Sequence, residues 1–362
     1  MKLRRTVLQV CQSRFITAIC TLCVLVLGQG GYATQPEGDE IEPVDPWETL
    51  LQHVTTASHP PLNEISGIIR SQTYPDVWWV HNDSGDVPRL FAINAQGQPI
   101  MPGWLENTYY AQEFLEGKQP WPGIPILNSA NVDWEDIAIA DGKLYIADVG
   151  NNGNARRDLG VYVLNEPNPR AIDRAKPTKF IPIRYPDQDS YPPADWNFDC
   201  EAVFVHSGKL YFLTKYRADR RWDKITYGTS LYRLDTAHTD TENELSLVSR
   251  LDDLRIVPTA ADLSTDGRRL AVLSYDGVWV FQAPDAVDGT EVIGAADSSN
   301  HSPDSPVPSD GWLDGQVHRV ELPPHQLKQA EAICWDDDNT LRITNEQRDI
   351  FTLDAGLLKP VE

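Results

Sequence analysis

The sequence predicts an all-β fold, a single β-propeller of five four-stranded blades whose ring is closed by an N-terminal strand. Three observations predict it. One motif recurs about five times, each copy holds the same order of short apolar runs and tight turns, and a spare strand precedes the first copy.

Each copy opens on a short apolar run, usually headed by Glu: Glu64-Ile65-Ser66-Gly67-Ile68, Glu135-Asp136-Ile137-Ala138-Ile139, Glu201-Ala202-Val203-Phe204-Val205, Ala260-Ala261-Asp262-Leu263-Ser264 and Glu331-Ala332-Ile333-Cys334-Trp335. Turn pairs such as Asp141-Gly142, Ser207-Gly208 and Asp266-Gly267 follow, and they suit tight hairpins. A second apolar run then returns at 77–80, 144–147, 210–213, 270–273 and 341–344. A third lies at 90–93, 161–164, 231–234, 278–281 and 350–353, rich in the β-branched and aromatic residues that strands favour. A fourth is visible at 179–183, 245–248 and 317–321. The fifth copy ends near Ala355 with no fourth strand of its own, and residues 50–55 can supply it. Such closure removes exposed sheet edges. The opening motifs stand 71, 66, 59 and 71 residues apart, with the spare length in loops at 95–132 and 284–315. The first loop is long enough to hide a degenerate sixth blade. The second contains a Ser/Pro/Asp-rich run at 298–306, which reads as a solvated insertion.

Ahead of the propeller, at residues 47–362, residues 1–33 read as a signal peptide and 34–46 as a flexible linker. Lys2, Arg4, Arg5 and Arg14 give a positive start, 15–28 an apolar run short for a membrane span, and Gly31-Tyr32-Ala33 a small-residue cleavage site. An uncleaved anchor is the alternative. The expected protein is therefore exported, periplasmic or extracellular, with no stable membrane span once the leader is removed.

Cleavage after Ala33 removes four basic residues and no acidic ones, taking the net charge from −22 to −26. Such a surface repels nucleic acid and anionic lipid and attracts cations. Three of the five cysteines leave with the leader. Cys200 and Cys334 fall in non-adjacent repeats and read as buried free thiols, since a bridge needs near contact.

In a propeller blade the first strand lines the channel and the second runs back beside it. Glu64, Glu135, Glu201 and Glu331 therefore gather at one channel mouth, joined by Asp83, Asp148, Asp276 and Glu346 from the return strands, with Asp133 and Asp199 close by. Carboxylates so crowded cannot all stay ionised without a counter-charge. A hard cation is the simplest solution, and calcium suits a flexible set of oxygen ligands; no His or Cys cluster competes for zinc. The expected metal ligands are Glu64, Glu135, Glu201 and Glu331. The competing reading makes each Glu a structural partner of backbone N–H groups in the neighbouring blade. The fourth copy carries Ala260 where Glu is expected, and Thr259 or Asp262 is available to fill the gap. The segment His81-Asn82-Asp83-Ser84-Gly85 reads as a turn rather than a catalytic triad, whose members meet through the fold. Arg89, Arg156, Arg157, Lys215 and Arg217 follow return-strand ends and either steer an anion or balance acid. No Gly-rich phosphate loop, HExxH or GxSxG occurs.

The stretches Glu64–Ile68, His81–Gly85, Asp133-Trp134-Glu135-Asp136-Ile137-Ala138, Leu144-Tyr145-Ile146-Ala147-Asp148 and Gln329-Ala330-Glu331-Ala332-Ile333 together resemble bacterial exported propellers of the phytase-like and esterase-like group. The ring of one acidic or hydroxyl residue per blade is also similar to calcium-activated nucleotidases, which implies a five-bladed ring with central calcium held by Glu64, Glu135, Glu201 and Glu331. The Asp-Pro-Ala-Ile-Trp motif of β-propeller phytases is missing, and so is a dense basic cluster for a polyphosphate.

Two functions follow as expectations. The first is a calcium-dependent hydrolase of phosphate or other esters, with Asp83 or Glu346 as the unligated base and a small anionic substrate. The second is a non-catalytic binding or scaffold propeller with structural calcium and a protein partner. Either is expected as a monomer.

Overall fold

The computed structural model of the protein describes residues 50–252, 254–283 and 311–361. The leader, the linker and the Ser/Pro/Asp-rich run lie outside the described residues. Among those described, no helix is long and apolar enough to cross a membrane.

Five antiparallel sheets follow one another along the chain. Blade one runs outward through Ile65–Arg70, Trp78–Asn82, Arg89–Ile93 and Pro99–Ile100. Blade two uses Trp134–Ala140, Lys143–Asp148, Gly160–Asn165 and Lys179–Arg184. Blade three uses Trp196–His206, Lys209–Arg217, Thr229–Leu234 and Ser246–Leu251. Blade four uses Pro258–Leu263, Arg269–Ser274, Gly277–Gln282 and Val317–Glu321. Blade five contributes Ala330–Trp335, Thr340–Asn345 and Asp349–Asp354, and its outer strand is Leu51–Thr56, paired from Leu51 with Leu353 to Thr56 with Asp349. The first segment of the propeller thus completes the last blade, and the ring is closed as the spare strand predicts.

The 95–132 segment is no sixth blade. It gives blade one its two-residue outer strand, and Ile124–Pro125 folds back on Arg89 and Leu90. A short 3-10 turn at Gly103–Leu105 and a minimal parallel pair, Tyr109–Tyr110 with Gln119–Pro120, are its remaining regular structure.

Because both faces of each blade pack on neighbours, the strands read as continuous apolar runs. The core fills the gaps between blades: Trp79 and Trp134 in one cluster, Phe204 and Trp312 in another. Cys200 and Cys334 are buried free thiols in blades three and five.

A single irregularity sets the geometry of the mouth. Every innermost strand carries a β-bulge near its start, between Ile65 and Gly67, Trp134 and Asp136, Cys200 and Ala202, Pro258 and Ala260, and Ala330 and Ala332. The bulged residues are Ser66, Glu135, Glu201, Thr259 and Glu331. A bulge re-aims one side chain and is favoured beside functional sites. The motif alignment read from the sequence is therefore corrected in two copies. Thr259 holds the fourth position, and Ser66, not Glu64, holds the first.

Candidate functional site

The five bulge residues divide by chemistry. The two short hydroxyls tie blades together: Ser66 Oγ donates to the Glu135 carbonyl at 2.7 Å, and Thr259 Oγ1 to the Ala330 carbonyl at 2.9 Å. Deeper in the channel, Asp136 Oδ2 accepts from Val203 N (2.8 Å) and Ala261 N (3.2 Å), and Asp262 Oδ2 accepts from Trp335 N (2.9 Å). The blade-joining role that could have explained the glutamates is filled by these residues. Glu135, Glu201 and Glu331 remain as three carboxylates turned into one mouth, 6 %, 3 % and 8 % exposed.

Return strands bring their partners. Lys215 lies opposite Asp199 in blade three. Asp83 and Glu346 come one residue after the last ladder pairs of blades one and five, donating their backbone N–H groups to the carbonyls of Glu64 and Gln329. The oxygens of Asp83, Asp133 and Glu135 lie within 4.8 Å of one another, and so do those of Asp83, Glu331 and Glu346. Oxygens on opposite sides of a calcium ion stand about 5 Å apart, so either triplet can close on one ion. Asp83 belongs to both.

The other acids are already matched. Lys215 Nζ sits 2.5 Å from Glu201 Oε1, and Arg217 Nη2 sits 2.5 Å from Asp199 and 3.6 Å from Glu201. Burial works against the Lys215 charge, but Glu201, with Tyr275 and Asp199 beside it, outweighs burial and holds the ammonium well above its usual range. Tyr275 extends this network. Its hydroxyl donates to Glu331 Oε1 at 3.2 Å and lies 3.4 Å from Lys215 Nζ. Asp148 is paired with Arg156 at 2.9 Å, and Arg89 with Asp86, so those two arginines balance acid. Arg157 lies over the Tyr191 ring, and Asp276 pairs with Arg319.

Where no cation answers them, the carboxyls resist ionisation. Burial pushes Asp83 up to about 6, against the Ser84 N–H and helped by Asp133 and Glu64. Burial takes Glu331 to about 7; Lys215 opposes the shift while Glu346 and Asp83 add to it. Glu135 is driven well above the usual range by burial and then by Glu201, Asp133 and Asp83. Burial also raises Asp133 and Glu346, Asp199 adding to the first and Asp83 and Glu64 to the second. This mouth carries a charge deficit that protons or a cation must fill.

Glu64 is placed differently from the other three glutamates. It is exposed, with its backbone in the left-handed region (φ 54°), two residues ahead of the bulge, and it acts on Asp83 and Glu346 through charge. Asp83, read from the sequence as an unligated base, stands where both triplets meet. His81 is buried against Trp134 with Nδ1 on the Asn82 carbonyl, so its segment is a turn and not a triad.

Sequence reasoning undervalued Gly150. A Cβ there would stand 2.0 Å from Glu135 Oε1 and 2.5 Å from Asp133 Oδ2. The glycine is needed for the close approach of backbone to carboxylates, and its place in the oxygen-rich run Asp148-Val149-Gly150-Asn151-Asn152 was the available signal.

Fold and mouth together define a five-bladed β-propeller with carboxylates converging at one end of its channel. No protein-family model matches the chain, and no curated protein matches it in sequence. Among solved structures it is similar to a PQQ-bound aldose sugar dehydrogenase from Streptomyces coelicolor (9 % identity, 84 % of this chain and 97 % of that one, TM-score 0.41). It is also similar to a virginiamycin B lyase from Staphylococcus aureus, an inactive variant with quinupristin (10 %, 84 % and 98 %, TM-score 0.33), and to BamB from Moraxella catarrhalis (10 %, 80 % and 85 %, TM-score 0.32). These likenesses concern the fold alone, and the blade count rests on the strand pairing above.

Proposed function

We propose that this protein is an exported, calcium-binding propeller that hydrolyses a phosphate or other ester at its acidic mouth. The observation that carries the reading is the sharing of Asp83 between two carboxylate triplets. One ion held by Asp83, Asp133 and Glu135 leaves Glu331 and Glu346 unligated, and an enzyme needs such spare acid–base groups where a purely structural site does not. Bound calcium would polarise the scissile group and activate water. Glu346, the more exposed of the two spare carboxyls, is the general base, and its Oε1 is held by Gln329 Nε2 at 2.9 Å. Glu331, raised to about 7 by burial in the metal-free protein and held by Tyr275, would be placed to donate a proton to the leaving group. Lys215 and Arg217 fix the blade-three acids and keep them out of the reaction.

The test is calcium titration by calorimetry alongside turnover of a phosphomonoester, phosphodiester and carboxylic ester panel. Calcium-dependent turnover lost in Glu346→Gln, with calcium affinity retained, supports the reading. Calcium binding with a large rise in Tm but no turnover makes the ion a tie between blades and the protein a binding scaffold. No calcium effect on stability or activity overturns the metal site.

A further inference from the structure

The loop after the second strand of blade three leaves the mouth beside Lys215 and Arg217. It is held up by a short pairing of Ile225–Thr226 with Tyr216 and Arg217. It spends three large apolar side chains on solvent: Trp222, Ile225 and Tyr227, 68 %, 39 % and 45 % exposed. Single exposed apolar residues are ordinary, but a group beside a polar site marks a contact surface. Under this loop lies an open pocket of about 340 Å³, walled by Ile225, Tyr227, Val257 and Tyr275, with Ser274 and Asp276 at its edge.

Tyr275 joins this pocket to the mouth. Its ring is part of the wall, and its hydroxyl reaches Glu331. A ligand filling the pocket therefore lies against Tyr275, whose hydroxyl stands 3.2 Å from Glu331 Oε1. At the rim, the exposed Arg255 guanidinium lies 4.9 Å from the Tyr227 ring centre and donates to its hydroxyl at 2.8 Å. An apolar pocket, a cation beside its Tyr227 wall and an oxygen-rich centre beyond Tyr275 suit an amphiphilic anion. They do not suit a polyphosphate, because Lys215 and Arg217 are already engaged by Glu201 and Asp199.

We infer that this pocket receives a ring-sized apolar substituent of the substrate, whose anionic ester group then lies past Tyr275, beside Glu331 and Glu346 and against the calcium that Asp83, Asp133 and Glu135 would hold. The inference rests on the ester-hydrolysis reading and names its substrate class: aryl or comparably bulky apolar esters rather than polyphosphorylated sugars. The space is ample, since a closed cavity of about 150 Å³ already accepts benzene.

The probes are phenylphosphonate and methylphosphonate, titrated by calorimetry into the calcium-loaded protein, and benzyl alcohol, followed by saturation-transfer NMR without calcium. Phenylphosphonate should bind about tenfold more tightly than methylphosphonate, which is about 1.4 kcal/mol. Ile225→Ser combined with Tyr227→Ser should bring that ratio close to one, leave methylphosphonate unchanged and abolish the benzyl alcohol signal. Both positions are exposed, so an unchanged Tm verifies that the variant is folded. Equal affinity for the two phosphonates, with no benzyl alcohol signal in the parent protein, overturns the pocket. A benzyl alcohol signal that the variant loses, without binding of either phosphonate, upholds the ring subsite and overturns the ester reading beneath it.

Discussion

Replacing Glu331 by Gln should make the metal-free protein more stable at pH 8 and flatten its pH dependence. In the folded chain Glu331 titrates at about 7, against an ordinary value of 4.5. The folded state therefore binds a proton that the unfolded state has already lost, and stability falls as pH rises from about 4.5 to 7. A difference of that size corresponds to about 3 kcal/mol at pH 8. Gln mimics the protonated acid and can still accept the Tyr275 hydroxyl, so the variant removes the penalty with little loss of packing. Below pH 4.5 the two proteins should match. Urea unfolding in chelator at pH 4, 6 and 8 measures the effect. A parent protein that gains stability between pH 5 and 8, or a variant with an unchanged slope, would refute the charge-deficit account of the mouth. With calcium present the order should reverse if the ion draws on the Glu331 triplet, because the parent then offers the extra carboxylate.

Asp83→Asn removes the one carboxylate common to both triplets and should weaken calcium binding by more than tenfold, read by calorimetry, whichever triplet holds the ion. Gly150→Ala places a methyl against the Glu135 and Asp133 carboxylates and should cost about 1–3 kcal/mol in chemical unfolding while also weakening calcium binding. Asp136→Ala leaves the N–H groups of Ile137, Val203 and Ala261 unpaired in the channel, so a loss of about 3 kcal/mol or more is expected in the same assay. Truncation before residue 57 removes the outer strand of blade five and exposes the Asp349–Asp354 edge. It should lower Tm sharply and promote association, followed by scanning calorimetry and light scattering.

The repeat was legible because a propeller blade is local: its strands pair with sequence neighbours, so hairpin turns and apolar runs announce each one. Ring closure was legible for the same reason, as a strand left over at one end and a strand missing at the other. Blade one's outer strand was not, since two residues, Pro99–Ile100, carry no periodicity.

For the carboxylates, the sequence by itself determined that glutamates recur at blade openings and that aspartates follow the return strands. Only the tertiary structure decided which of them meet. The bulge in each innermost strand marks which residue faces the mouth, and it marks Ser66 and Thr259 in blades one and four while leaving Glu64 outside both triplets. Pairing across the two inner strands of blade three then decided which acids were free, because there Lys215 and Arg217 reach Glu201 and Asp199. The pocket beside Tyr275 belongs to the same class of fact, built by a blade-three loop and a blade-four turn. Composition sets how much negative charge a chain carries; the surplus at one point depends on burial and on distances of a few ångströms, which only the folded ring fixes.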